Sequence, residues 1–143
     1  MPGFIPVSIA IVLRKSPSGM EAFFQKRKEE GPLDGLLEFP GGKIESGESP
    51  EECAFREFGE EVGVRLEKSA AYDRLGPYKY DYSDRSVCLY AVLMRQDDIK
   101  INSGFWLGLP DVFSASEWSE KVPEANLEIL KDLISHVRNY EFN

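Results

Sequence analysis

Three carboxylates, Glu57, Glu60 and Glu61, stand at relative positions i, i+3 and i+4. On a helix that spacing puts them on one face, within a few ångströms of each other. Like charges so close repel and resist joint ionisation unless a cation sits among them. Acidic runs on helices are usually solvated faces; it is the fixed glycines, Glu48 and Arg56 around the triplet that make the stretch read as a divalent-metal site. Gly42 is followed after five residues by Glu48, after seven more by Arg56-Glu57, and the stretch closes on Gly63-Val64.

The helix that must carry these groups is bounded by local signals. Ser49 is a candidate N-cap, Pro50 suits the first helical position, and Glu52 completes a capping box. Gly63 suits the left-handed C-terminal stop. The expectation is a helix from Pro50 to Val62, with Ala54, Phe58 and Val62 as its buried stripe and Cys53 and Phe55 beside it. Gly59 weakens that helix by about 1 kcal/mol relative to alanine, so propensity does not explain it. Gly41-Gly42 and Gly47 let the preceding loop turn back sharply.

The whole pattern resembles the signature of the Nudix hydrolases: Gly, five residues, Glu, seven residues, Arg-Glu, an apolar residue, any residue, Glu-Glu, any residue, Gly, an apolar residue. Gly42, Glu48, Arg56, Glu57, Phe58, Glu60, Glu61, Gly63 and Val64 fill every defined position, and Leu37-Glu38-Phe39-Pro40-Gly41 is similar to the family's lead-in. The resemblance implies an α+β chain folded as an α/β/α sandwich, with a mixed β-sheet and a loop–helix–loop catalytic motif. It implies Mg2+ or Mn2+ held by Glu57, Glu60, Glu61 and the Gly41 carbonyl. The implied reaction is hydrolysis of a diphosphate linkage in a nucleoside diphosphate joined to another group. MutT-like members convert (d)NTP to (d)NMP and pyrophosphate, oxidised purine nucleotides among them. The alternatives are dinucleoside polyphosphates, nucleotide sugars or 5′-triphosphorylated RNA, or a nucleotide-binding module without turnover.

Arg56 either pairs with a carboxylate on the helix surface or, as in the family, orients Glu57. Glu48 either ties the loop to the helix or serves the outer metal shell. Where MutT-like members carry a glutamate before a tryptophan, this chain has Phe105-Trp106, and phenylalanine can neither take a proton nor bind a metal. Glu117, Asp111, Glu57 and Glu60 remain as candidates for the base. Likeness to the same members points to Arg27 and Asn126 as purine-recognition residues, and Lys43 is a candidate phosphate contact. Tyr78, Tyr80 and Tyr82, at period two, serve either stacking on a base or packing. His136 has no catalytic assignment.

Around this motif the chain reads as one domain, residues 1–143, large enough to bury a real core. Its formal charge of -8 disfavours nonspecific nucleic-acid binding. A small-molecule nucleotide is the expected partner, with a monomer or a homodimer equally open. Cys53 and Cys88 are expected to be buried, reduced thiols, too few for a disulfide framework. The apolar run Val7 to Leu13 is too short to span a bilayer, and a cytoplasmic protein is the default expectation. Expected strands are Ile5 to Leu13, Glu21 to Lys28, Leu36 to Phe39, Ala71 to Leu75, Tyr78 to Tyr82, Ser86 to Arg95 and Phe105 to Leu107. Turns are expected at Ser16–Gly19 and Gly76-Pro77, a loop at Glu29–Gly35, and a closing helix after Pro123.

Overall fold

A strand of twelve residues, β1 (Ile5–Ser16), forms the spine of the molecule. It is buried on both faces from Ser8 to Leu13, as its near-continuous run of apolar residues requires. The structure is a computed structural model that describes residues 3–26 and 35–141. The tight turn at Pro17-Ser18 leads into β2 (Gly19–Lys26), antiparallel to β1. Then follow β3 (Leu37–Glu38), β4 (Gly41–Lys43), α1 (Pro50–Val62), β5 (Ala71–Asp81), β6 (Ser86–Arg95), β7 (Phe105–Gly108), α2 (Ala115–Trp118) and α3 (Leu127–Glu141). Strands β3-β2-β1-β6-β5 lie side by side, while β4 pairs with β1 and β7 with β2. The sheet is mixed, because β6 runs parallel to β1 from Ile5↔Val87 to Leu13↔Arg95.

Register positions the site. The β1–β2 hairpin is paired only near its turn, from Ser16↔Gly19 to Leu13↔Ala22. Beyond that the two strands part, and residues 37–43 enter the gap. Gln25 pairs with Glu38 on the β2 side. On the β1 side Ile9 pairs with Gly41 and Ser8 with Gly42, and the Ala10 N–H donates to Pro40 O at 2.7 Å.

Two cores flank the sheet. Ala10, Val12, Phe23, Val92 and Met94 pack under α1 against Ala54 and Phe58. On the other face Ile11, Leu13, Phe24 and Leu93 pack against Trp118 of α2 and Ile129, Leu130 and Leu133 of α3. This is the expected α/β/α sandwich.

Three expectations change. Gly41–Lys43, expected within a loop, is a strand paired with β1. Ala71–Leu75 and Tyr78–Tyr82 form one strand, not two, because β6 offers a continuous partner and a register shift between Leu75 and Tyr78 absorbs Gly76-Pro77. Cys88 is only partly buried, on β6 near the sheet's outer strand, whereas Cys53 is fully buried.

Candidate active site

Helix α1 begins as its sequence signals require. The Ser49 hydroxyl accepts from the Glu52 N–H at 3.1 Å, and the Glu52 carboxylate accepts from the Ser49 N–H at 3.0 Å. Gly63 closes the helix at φ 79°. The buried Ser8 hydroxyl donates to Pro50 O at 2.7 Å and ties the helix start to β1. The Cys53 thiol donates to the carbonyls of Gly42 and Lys43, at 3.5 and 3.4 Å. Burial and the neighbouring Glu48 carboxylate push that thiol up to about 11, so it is an inert anchor.

Arg56 organises the acidic residues. Its Nε and Nη2 grip the Glu48 carboxylate as a fork, at 2.7 and 3.0 Å. Nη1 donates to Glu57 Oε1 at 2.8 Å and reaches Glu60 Oε2 at 3.5 Å, and Nη2 donates to the Lys43 carbonyl at 3.1 Å. Planar bidentate pairing of this kind is both stronger and more directional than a point contact. Glu48 also accepts from the Glu45 N–H at 3.0 Å. Held by Arg56 and then by that N–H, its carboxyl lies at about 2, well below the usual range, while the guanidinium is pushed up. Both kinds of contact, to Glu48 and to Glu57, occur in one network. Glu48 braces the loop against the helix.

Glu57 and Glu61 line the strand inserted in the sheet. A Cβ on Gly42 would lie 2.6 Å from Glu57 Oε1, so glycine leaves a cradle that the carboxylate fills. The Glu61 carboxylate spans the gap, accepting from Gln25 Nε2 on β2 and from the Gly41 N–H on β4, both at 2.9 Å. Desolvation pushes its carboxyl up, and the nearby Glu57 and Glu38 carboxylates push the same way against those two hydrogen bonds. Glu60 is turned outward, its side chain 60% exposed.

These donors suit a hard cation. They are oxygens, their carboxylates outnumber the single Arg56 guanidinium that pairs with Glu57 and Glu60, and one occupies a cradle that a side chain would fill. Among the described residues no three His, Cys, Asp or Glu side chains already converge as a closed ligand set. Glu57, half-buried, and Glu61, open to solvent, are tied to the gap by hydrogen bonds or the Gly42 cradle, and Glu60 is not.

The other candidates are dispersed. Arg27 lies outside the described residues. Asn126 ends a short 3-10 turn (Glu124–Asn126) in the layer opposite α1. Lys43 is exposed on β4 and holds Arg56 through its carbonyl. Tyr78 and Tyr80 serve packing: both enter the α3-side core, with hydroxyls donating to Asp132 Oδ2 at 2.7 Å and Ala125 O at 2.9 Å. Phe105 pairs with Phe24, on the α3 side, and is 45% exposed. Its neighbour Trp106 pairs with Phe23 toward α1 and lies 3.9 Å under the Arg14 guanidinium. Neither outlying acid reaches α1. Trp118, 2% exposed, anchors α2 in the opposite core, leaving Glu117 in solvent, and Asp111 lines a groove with Ile134 and Val137 of α3. Sequence reasoning missed Gln25 and Glu38. Gln25 belongs to no local motif and Glu38 only to the lead-in, and it is the β2–β3 register that brings them toward Glu61.

Comparison with known proteins bears on family and fold. The NUDIX domain profile matches residues 5–130. An 8-oxo-dGTP diphosphatase of Escherichia coli (strain K12) is 37% identical over 76 residues, 53% of this chain and 57% of that protein. The chain thus spans little more than half the length of that relative. An 8-oxo-dGTP diphosphatase of Haemophilus influenzae is 26% identical over 129 residues, 84% of this chain and 86% of that protein. A solved structure of MutT from work on Aliivibrio salmonicida and Vibrio cholerae superposes with a TM-score of 0.60 at 26% identity, covering 92% of this chain and 96% of the other. Among the described residues no helix is long and apolar enough to cross a membrane.

Proposed function

The chain belongs to the NUDIX domain family, and on that premise we propose that it is a MutT-like pyrophosphohydrolase, converting (d)NTP to (d)NMP and pyrophosphate. Mg2+ or Mn2+ would be held by Glu57, Glu60, Glu61 and the Gly41 carbonyl. Oxidised purine nucleotides are the favoured substrates, by similarity to the two 8-oxo-dGTP diphosphatases. The observation that carries the reading is the placement of two signature glutamates in the split of the sheet, Glu57 in the Gly42 cradle and Glu61 across β2 and β4.

When bound, a divalent cation supplies charge neutralisation for the phosphates and a water of lowered pKa. The chain's own part is positional. Arg56 orients Glu57 and keeps Glu48 ionised. The Gly41-Gly42 backbone brings the inserted strand against α1. Proton acceptance from the attacking water falls to Glu57 or Glu60, because Glu117 and Asp111 stand in the other layer. Glu60, exposed and only loosely tied to Arg56, is free to turn inward.

Incubation with a nucleotide panel and Mg2+, followed by product identification, tests the proposal. Monophosphate and pyrophosphate are expected, and Glu60→Gln should lower kcat by about 10^2–10^4, the usual scale for losing a general base. Turnover like the native protein's in that variant would remove Glu60 from the mechanism. Phe105 favours a second reading, a nucleotide-binding module without turnover. Calorimetric nucleotide binding with no product under varied metal and alkaline pH would select it.

A further inference from the structure

We propose that Gln25 is a positioning residue for the metal site, aiming the Glu61 carboxylate from strand β2. The inference rests on the reading of Glu61 as a ligand. Its ground is geometric. Glu61 leaves α1 and crosses to two strands at once, with Oε1 taken by the Gln25 amide and Oε2 by the Gly41 N–H, each at 2.9 Å. The Gly41 donor is backbone and cannot be varied. Gln25 is therefore the side chain that sets where the second oxygen points.

The residue type matters as much as the contact. The Gln25 amide donates to Glu61, and Gln25 stands directly opposite Glu38 in the β2–β3 register. A neutral donor orients Glu61 and leaves its negative charge available to a cation. A lysine or arginine at position 25 would also donate, but it would neutralise Glu61 and compete with the cation by like-charge repulsion. A glutamate would add repulsion to both neighbours. Partners that orient metal-binding carboxylates typically change affinity by roughly 10–100-fold when removed.

The test is Mn2+ binding to the free protein, without nucleotide, followed by electron paramagnetic resonance. Gln25→Leu should weaken Mn2+ by roughly 10–100-fold. Gln25→Lys should also weaken it, yet raise the melting temperature measured in chelator, since the lysine relieves the carboxylate crowding. A merely structural glutamine would lower the chelator melting temperature of Gln25→Leu along with its Mn2+ affinity, whereas a positioning glutamine lowers the affinity and leaves that melting temperature near native. In a double-mutant cycle the loss from Gln25→Leu should vanish on a Glu61→Gln background.

The failures are distinguishable. If Glu61→Gln binds Mn2+ as the native protein does, the reading of Glu61 as a ligand is wrong. If Glu61→Gln weakens Mn2+ but Gln25→Leu stays within twofold of native, Gln25 has no positioning role, whatever Gln25→Lys does. Melting curves of each variant establish that the compared proteins are folded.

Discussion

Arg56 contacts Glu48, Glu57, Glu60 and the Lys43 carbonyl, so its substitution removes several partners at once. Arg56→Lys keeps the charge but loses the fork, and turnover should fall by roughly 10–100-fold, as for other supporting partners of a metal site. The Glu48 carboxyl carries a pH signature. Its folded value, about 2, lies below its ordinary value of 4.5. The unfolded chain takes up this proton first as pH falls. The stabilisation is therefore complete above about pH 4.5 and is lost progressively down toward pH 2. Urea midpoints measured between pH 6 and 2 should fall steeply, and Glu48→Gln should flatten that part of the profile while lowering the midpoint at neutral pH. Cys53 gives a simpler check. Its thiol is fully buried and pushed up to about 11, whereas Cys88 is partly exposed. At pH 8 one thiol per chain should react with a thiol reagent in the native protein, and both after unfolding.

At the scale of elements, the decisive piece is the strand inserted between β1 and β2, and its two glycines are not equivalent. A Cβ at Gly41 would meet the Ser8 carbonyl and come within 2.8 Å of Ile9 Cα, which is backbone and cannot yield. The three atoms nearest a Cβ at Gly42 all belong to the Glu57 carboxylate, the far end of a side chain. Gly41→Ala should therefore cost about 1–3 kcal/mol of stability through overpacking. Gly42→Ala should leave stability within about 1 kcal/mol of native but displace Glu57 and lower turnover by roughly 10–100-fold. Urea unfolding and product assays on the same preparations separate the two. This strand also marks the limit of what sequence can show. Helix α1 was legible from Pro50 to Val62 because its caps are local chemistry. Gly41-Gly42-Lys43 has no strand propensity; it is a strand because β1, far upstream, leaves a partner free. Gly76-Pro77 misleads in the opposite sense, since turn chemistry within β5 is overridden by the continuous pairing offered by β6.

At the scale of the molecule, the layers follow from patterning: β1 and β6 are apolar on both faces, so helices must cover both. The identity of those layers came from the resemblance, not from periodicity. The acidic cluster was legible from its spacing, but its second half was not, because it is sheet register that brings Gln25 and Glu38 toward Glu61. On the proposed metal site, fold and cation are interdependent. Glu57, Glu61 and Glu38 crowd negative charge into the junction of α1, β2, β3 and β4, in a chain of net charge -8. A cation that binds this junction only when folded must stabilise the whole domain. At a hundredfold excess over its dissociation constant the gain is about 2.7 kcal/mol. For a domain of this size each kcal/mol is worth roughly 2–4 °C, so Mg2+ or Mn2+ should raise the melting temperature by about 5–11 °C, and chelator should reverse it. Gly42→Ala should lose most of that increment while melting normally in chelator. Equal melting temperatures with and without saturating divalent ion would mean that the crowded carboxylates are reconciled within the fold itself, with no cation to join them.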